Sequence, residues 1–193
     1  MTYPGRPGPS PVIAGLVAAG VIRPEHAVLD VGCGRGTDVV ALARWGVRKV
    51  TGLDTDAGHL AQATAKAQRH RVARRTAFHL GSITEKHTCF DDGEFDVVID
   101  SLCWNNLPAG ETGAYIDEVW RLLAPGGTLV LQAKWGGRVF EPTGNLPRRF
   151  HRFFHIGPRV KTHLAERGVE DGMRDWTTVL VCVGQRRDAP LRR

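Results

Sequence analysis

Short apolar runs alternate with amphipathic segments along most of the chain. Buried strands are predicted where the apolar runs are continuous, at 27–31, 48–54, 76–80, 95–100 and 128–134. Apolar residues spaced three and four apart between these runs predict helices at 37–46, 56–69 and 111–123. A short helix near 160–167, a strand within 168–176 and a closing strand at 177–185 complete the pattern. This alternation predicts an α/β, doubly wound fold with a parallel sheet covered on both faces.

Two segments depart from the alternation. The first eleven residues contain four prolines and two glycines, and we expect them to form a mobile arm. The irregular stretch 135–155 is expected to be a lid-like insertion within a single domain that spans 12–193. The apolar segment 12–22 is too short to cross a bilayer, so we expect a helix packed on the domain rather than a signal peptide.

The overall composition narrows the class of protein only slightly. The chain has 26 basic and 20 acidic residues, a formal net charge of +6, which suits an anionic partner or an ordinary solvated surface. The four cysteines form no C-x-x-C pair and no metal-ligand spacing. We therefore expect reduced thiols and a cytoplasmic location.

The stretch DVGCGRG, residues 30–36, follows the first predicted strand and raises the question of a nucleotide cofactor. Gly32, Gly34 and Gly36 allow the backbone to pass close to a ligand. The dinucleotide fingerprint G-x-G-x-x-G would require a glycine at position 37, where Thr37 stands. The turn alone leaves open whether the chain holds a dinucleotide or another adenosine-containing cofactor.

Polar residues also follow the other predicted strands. In an open parallel sheet, ligands bind beyond the carboxyl ends of the strands. Asp54 ends the second strand, where a carboxylate can accept hydrogen bonds from both hydroxyls of a ribose. The tripeptide GSI at 81–83 follows the third strand, and Asp100 ends the fourth. These positions predict a ligand site along one edge of the sheet.

Five motifs in order resemble the class I S-adenosylmethionine-dependent methyltransferases of the small-molecule type, over about residues 12–186. They are VLDVGCGRG (28–36), VTGLDTD (50–56), HLGSI (79–83), FDVVIDSLCWNNLP (95–108) and LLAPGGTLVL (122–131). The resemblance implies a mostly parallel seven-stranded sheet with an antiparallel last strand, a Rossmann-like methyltransferase fold. It also implies S-adenosylmethionine as cofactor, S-adenosylhomocysteine as product and no metal.

The same resemblance implies the cofactor-binding residues. Asp30 would support the amino group, Asp54 would bind the ribose hydroxyls, and Asp100 would lie beneath the sulfonium. At the position of Ser82 the family often has an Asp, which accepts a hydrogen bond from the adenine amino group. The serine of this chain departs from that pattern. The full predicted set is Asp30, Gly32, Cys33, Gly34, Gly36, Asp54, Thr55, Ser82, Ile83 and Asp100.

The expected reaction is methyl transfer to an oxygen, nitrogen or sulfur atom of a small molecule by in-line displacement. The arm, the loop after the fourth strand and the insertion are expected to build the acceptor pocket. Its predicted residues, aromatic walls with a few polar groups, are Tyr3, Trp104, Asn105, Trp135 and His151, with His155 as catalytic base. A metal-dependent catechol-type reaction is not expected, because no second Asp-Asn pair follows the fifth strand.

Other partners and roles stay open at this point. The arginine-rich runs 66–75 and 148–161 are compatible with an anionic small acceptor or with nucleic acid. The alternatives are therefore an RNA- or protein-directed methyltransferase and a non-catalytic S-adenosylmethionine-binding partner protein. No membrane partner is expected, and the sequence leaves the oligomeric state open.

Overall fold

A computed structural model describes residues 9–85, 89–108, 110–134, 148–166 and 175–189. The strands are β1 (Ala27–Val31), β2 (Lys49–Asp54), β3 (Thr76–Leu80), β4 (Phe95–Ser101), β5 (Leu123–Lys134), β6 (Phe154–Glu166) and β7 (Asp175–Arg186). The helices are α1 (Pro11–Ala18), α2 (Thr37–Arg44), α3 (Ala57–Arg69), α4 (Thr112–Leu122) and α5 (Arg148–Phe153). Short 3-10 turns occur at Ala73–Arg75 and Trp104–Asn106.

The seven strands form one sheet in the order β3-β2-β1-β4-β5-β7-β6. The first five strands of this order run parallel, and β7 is antiparallel to both of its neighbours. The predicted fold, a doubly wound and mostly parallel sheet with an antiparallel last strand, is confirmed. Below, the carboxyl edge is the one where β1 to β5 end, and the amino edge is the one where they begin.

Helices cover both faces of the sheet. On the first face, apolar residues of α1, α2 and α3 such as Ile13, Leu42 and Leu60 are buried in one cluster with Val28 of β1. On the second face, residues of α4 and α5 share a cluster with Leu29. Consecutive strand residues point to opposite faces, so the continuous apolar strands supply both cores.

The expectation for residues 160–167 is wrong. This stretch was expected to form a helix, but residues as far as Glu166 belong to β6, which pairs with β7 from Phe154↔Arg186 to Glu166↔Asp175. Main-chain pairing along β7 outweighs the modest helix propensity of the segment. Most of the strand expected at 168–176 lies outside the described residues, and its last two residues begin β7.

The apolar segment near the start of the chain forms the expected helix. Helix α1 occupies much of this segment, and both Ile13 and Ile22 are buried. The backbone N–H of Ser10 donates a 2.6 Å hydrogen bond to Asp38 of α2, which ties the start of α1 to the helix after the glycine turn. In the described part of the chain, every helix is too short or too polar to cross a membrane. Residues 1–8 of the predicted arm and 135–147 of the predicted insertion lie outside the described residues.

Candidate cofactor site

A glycine turn connects β1 to α2 at the carboxyl edge. Gly32, Gly34 and Gly36 all have left-handed φ angles, of +68°, +52° and +65°. A Cβ added at Gly32 would lie 2.9 Å from the Cβ of Cys103, whereas one added at Gly34 would meet no atom within 4 Å. The turn is therefore closely packed at Gly32 and open above Gly34, where a ligand can approach the backbone.

Asp54 fastens this turn to the end of β2. Its carboxylate accepts hydrogen bonds from the backbone N–H of Gly34 at 2.7 Å and of Asp56 at 2.9 Å. From the turn, the N–H groups of Gly32 and Cys33 donate to the carbonyl of Leu53. Because Asp54 is buried, these contacts fix both the acid and the turn as one unit.

Asp30 and Asp54 point to the same face of the sheet at adjacent strand ends. Side chains an even number of residues apart on a strand point to the same face. Asp30 lies two residues beyond Val28 on β1, and Asp54 lies four residues beyond Val50 on β2. Both valines belong to the core of the first face, so both acids face that side. Asp30 pairs with Gly52, so Asp54 lies two residues further along the neighbouring strand, and both carboxylates lie on the same face near the glycine turn. Both side chains are buried, with relative exposures of 4% and 6%.

Asp100 faces the other side of the sheet. Its carboxylate is fully buried and accepts hydrogen bonds from the Tyr115 hydroxyl at 2.8 Å and the Trp104 backbone N–H at 3.0 Å. Burial raises the pKa of Asp100 to about 7, although these two hydrogen bonds oppose the shift. These contacts fix the loop after β4 onto α4, and the place of Asp100 beneath the sulfonium stays a prediction.

The loop after β3 contains a chain of hydrogen bonds. The hydroxyls of Ser82 and Thr84 lie 2.9 Å apart, and the Thr84 hydroxyl donates to the Glu111 carboxylate at 2.6 Å. Ile83 between them is buried in the core of the second face, and Thr55, at the end of β2, is exposed. Of these residues, sequence reasoning missed Thr84 and Glu111, because their contact joins segments 27 residues apart and has no local pattern.

Two cysteines, the buried Cys33 and the half-buried Cys103, flank Gly32. Cys33 follows it in the turn, and Cys103 approaches it from the loop after β4, where Leu102 takes a left-handed φ of 71°. Burial raises the pKa of both thiols, and the nearby carboxylates raise it further. The two cysteines therefore act as packing groups in the protonated state.

Of the predicted acceptor residues, the structure describes Trp104, Asn105 and His151. Trp104 is buried at 4% exposure and packs edge-on against Tyr115, with ring centroids 4.5 Å apart, and against Phe150 at 4.9 Å. Asn105 follows it in the same 3-10 turn and is half-buried. Tyr3 and Trp135 lie outside the described residues. Trp104 thus belongs to the aromatic core beneath the loop rather than to an open wall.

The structure places His155 at the amino edge. His155 of β6 pairs with Gln185 of β7, and Gln185 pairs in turn with Thr128 of β5. Thr128 lies where the regular pairing of β5 begins, so His155 lies at the same, amino edge of the sheet. Its Nε2 lies 3.1 Å from Nη1 of Arg187, and it lines an open cleft of about 690 Å³ at that edge. A base at this position cannot reach a group bound at the carboxyl edge, so the prediction for His155 does not fit the fold. His151 is exposed on α5, and its carbonyl accepts a hydrogen bond from Arg187.

The residues at the carboxyl edge fit S-adenosylmethionine. This cofactor carries a cationic amine, a cationic sulfonium and a ribose diol, and each is favoured by the carboxylates of Asp30 and Asp54. The open space above Gly34 admits a ligand close to the backbone. A pyrophosphate placed there would instead meet two buried acids. Among the described residues, no group of three or more His, Cys, Asp or Glu is arranged to hold a metal ion.

Comparison with known proteins connects this site to a family. The methyltransferase domain family matches residues 28–127, just over half of the chain. Ubiquinone biosynthesis O-methyltransferase of Psychrobacter arcticus is 31% identical over 144 residues, covering 75% of this chain and 51% of that protein. Ribosomal protein L11 methyltransferase of Pelotomaculum thermopropionicum is 34% identical over 109 residues, covering 56% and 32%. The chain spans about half or less of the length of these two relatives.

A similar fold occurs among solved structures. One, from work on the conversion of a disulfide bond into a thioacetal group during echinomycin biosynthesis, superposes with a TM-score of 0.79 at 22% identity, covering 94% of this chain and 83% of that one. The family match includes the glycine turn and the ends of β1 to β4, where Asp30 and Asp54 lie. The chain belongs to the class I S-adenosylmethionine-dependent methyltransferase family.

Proposed function

We propose that this chain transfers a methyl group from S-adenosylmethionine to an oxygen, nitrogen or sulfur atom of a small molecule. The observation that carries the proposal is the pair of buried carboxylates, Asp30 and Asp54, on one face beside an open glycine turn. When bound, S-adenosylmethionine supplies an activated methyl group on a sulfonium ion. The residues described below would hold the cofactor that carries this group.

Each cofactor-binding residue has a proposed task. Asp30 binds the amino group of the methionine part, and the backbone from Gly32 to Gly36 lies against that part and the ribose. Asp54 binds the ribose hydroxyls, using lone pairs beyond those that accept from Gly34 and Asp56. Thr55, Ser82 and Ile83 lie beyond Asp54, around the adenine. Asp100 contributes indirectly, because it holds the loop that carries Cys103 over the turn.

Support for a small acceptor comes from the relatives and from the arginine-rich run at 66–75. The alignment with the ubiquinone biosynthesis O-methyltransferase covers three quarters of this chain. Two members of the run are engaged within the fold: Lys66 donates to the Thr37 hydroxyl and Arg75 to the Ala43 carbonyl. These contacts support a structural role for two members of the run, which leaves fewer of its cations for a nucleic-acid contact.

A protein acceptor is the second candidate. It is favoured by the relative that methylates ribosomal protein L11, although the alignment with that protein covers less of this chain. A non-catalytic role in cofactor binding is the third, and it requires binding without turnover.

A label-transfer assay, together with a titration that measures S-adenosylhomocysteine binding, separates these candidates. The chain is incubated with methyl-labelled S-adenosylmethionine and either a panel of phenols, thiols, amines and carboxylates or a ribosome-containing protein extract. Label in a small product, dependent on Asp54, supports the proposal. Label in protein alone supports the second candidate, and binding of S-adenosylhomocysteine without label transfer to any acceptor supports the third.

A further inference from the structure

We propose that Ser101, held by the buried side chain of Gln132, donates a hydrogen bond to an oxygen atom of the methyl acceptor. The inference rests on the proposed function and names one part of its acceptor site. It makes Ser101 an acceptor-binding residue and Gln132 a positioning residue. The class of acceptor that fits is a small molecule that presents a hydroxyl, carbonyl or carboxylate oxygen to the end of β4.

Ser101 and Gln132 lie at the carboxyl edge, on the same face of the sheet as Asp30. Ser101 is two residues beyond Ile99 on β4, and Gln132 is two residues beyond Val130 on β5. Both Ile99 and Val130 belong to the core of the first face, so the two polar side chains point to that face. Ser101 and Gln132 are also directly paired across the two strands.

The distance from Ser101 to the glycine turn suits a methyl acceptor. Asp30 pairs with Ile99, so Ser101 lies one strand across from Asp30 and two residues further along. Standard sheet spacings place the Cα atoms of Asp30 and Ser101 about 8 Å apart. The proposed cofactor site extends from the turn toward β2 and β3, on the other side of β1 from β4. Since in-line displacement needs the acceptor on the side of the methyl group opposite the sulfur, the end of β4 is left for the acceptor.

The hydrogen-bond pattern leaves Ser101 as a donor. The side-chain Nε2 of Gln132 donates to the Ser101 hydroxyl oxygen at 2.8 Å. A hydroxyl has one hydrogen and two lone pairs, and this contact uses a lone pair. Among the described residues, the hydroxyl hydrogen of Ser101 has no acceptor. Ser101 is half-buried, so a ligand at the carboxyl edge can reach it.

Gln132 is an unusual residue for its place in the sheet. Its side chain is fully buried, and its Oε1 lacks a hydrogen-bond partner within the described part of the chain. An amide buried with one end unsatisfied is unfavourable for stability, so it calls for a functional reason. Its backbone carbonyl accepts from the N–H of Leu102, whose left-handed φ of 71° turns the chain away after Ser101. Gln132 therefore fixes both the Ser101 hydroxyl and the backbone that follows it.

The test measures how tightly single-ring probes bind to the chain saturated with S-adenosylhomocysteine. The probes are phenol, benzoate and thiophenol, and saturation-transfer NMR gives their affinities. Phenol or benzoate should bind about fivefold or more tightly to the parent than to Ser101→Ala, because the variant loses one hydrogen bond. Thiophenol should change by less than about twofold, since sulfur accepts hydrogen bonds weakly.

Further variants separate the two roles. Gln132→Met keeps the length of the side chain but removes the amide, so it should weaken the same oxygen probe by about twofold to fivefold. Ser101→Thr keeps the hydroxyl and should keep the affinities of the parent. Gln62→Met, which removes an exposed glutamine from α3, is the matched control and should change none of them. If Ser101→Ala fails to fold, Gln132→Met carries the test.

The inference is overturned if Ser101→Ala binds phenol and benzoate as tightly as the parent, if all three probes weaken equally, or if neither oxygen probe binds the parent. It is also overturned if Ser101→Ala loses affinity for S-adenosylhomocysteine, because Ser101 would then contact the cofactor. Each of these results leaves the proposed function standing, since the parent still binds S-adenosylhomocysteine. Failure of the parent to bind S-adenosylhomocysteine overturns the proposed function and the inference together.

Discussion

The carboxylate of Asp54 accepts a 2.7 Å hydrogen bond from the backbone N–H of Gly34, twenty residues earlier in the chain. This contact joins the end of β2 to the glycine turn after β1, so one side chain both shapes the turn and borders the open space above it. Ligand binding and local stability are therefore coupled at Asp54.

Replacing Asp54 should affect both properties. In Asp54→Asn only one oxygen remains to accept the two backbone N–H groups, which costs about 1–3 kcal/mol of stability. Loss of the charge should weaken S-adenosylhomocysteine binding by about tenfold or more. Calorimetric titration and thermal unfolding measure the two effects. Asp56→Asn is the matched control, since Asp56 is exposed, caps α3 and is replaced by an equally good capping residue. An Asp54 variant that binds as tightly as the parent would show that the site is placed wrongly.

Two of the three glycines of the turn, Gly32 and Gly34, should differ in their tolerance of alanine. Gly32→Ala and Gly34→Ala share the cost of a left-handed alanine, about 1–2 kcal/mol. Only Gly32→Ala adds a clash with the Cys103 Cβ. Urea unfolding should therefore show a larger loss of stability for Gly32→Ala than for Gly34→Ala. Equal losses would mean that the loop carrying Cys103 moves away at no cost.

Asp100 should make stability fall as the pH rises. Its pKa is about 7 in the folded chain and near 3.8 when unfolded, so between these values the folded state holds a proton that the unfolded state has lost. The free energy of unfolding should then decrease by up to about 1.4 kcal/mol for each pH unit between about 4 and 7 from this group. Asp100→Asn removes the titration. Subtracting its unfolding profile from that of the parent should reveal this slope, and parallel profiles would contradict it.

Trp104 should behave as a core residue. Its ring is buried against Tyr115 and Phe150, so Trp104→Ala should lower the free energy of unfolding by about 3–5 kcal/mol. Trp45, which is 41% exposed, provides the matched tryptophan, and Trp45→Ala should cost about 0.5 kcal/mol or less. Chemical unfolding of both variants measures the difference. A small effect at Trp104 would instead support the open acceptor wall expected from the sequence.

His155 should be dispensable for methyl transfer. It lies at the amino edge, so His155→Ala should leave kcat and its pH profile unchanged once an acceptor is identified. Asp54→Asn, assayed in parallel, should reduce kcat/KM. A loss of kcat in His155→Ala would mean that the acceptor site reaches the amino edge.

The sequence predicts the positions of the first five strands because they contain short, largely apolar runs separated by amphipathic helices or by turn residues. It fails at β6, where Val160, Thr162 and Leu164 alternate with Arg159, Lys161 and His163. This alternation with a period of two indicates a strand, but the same residues are also compatible with a helix. Pairing with β7 selects the strand over the helix. Such pairing joins separate segments of the chain, so no local sequence pattern reveals it.

The orientation of the strand-end acids is the second limit. Asp30 is two residues beyond Val28, and Asp100 is two residues beyond Val98, so the local patterns are the same. In the sheet, however, Val28 pairs with Val97 rather than with Val98. This one-residue offset turns Asp100 to the opposite face from Asp30. Register between strands is a long-range property, and a pattern along one strand does not contain it.

Calorimetric titration of the parent chain with S-adenosylmethionine, S-adenosylhomocysteine and NAD tests the central claim most directly. Two acids beside an open turn predict micromolar binding of the first two ligands and none of NAD. Binding of NAD alone would contradict this account, because the turn from Asp30 to Gly36 would then hold a dinucleotide.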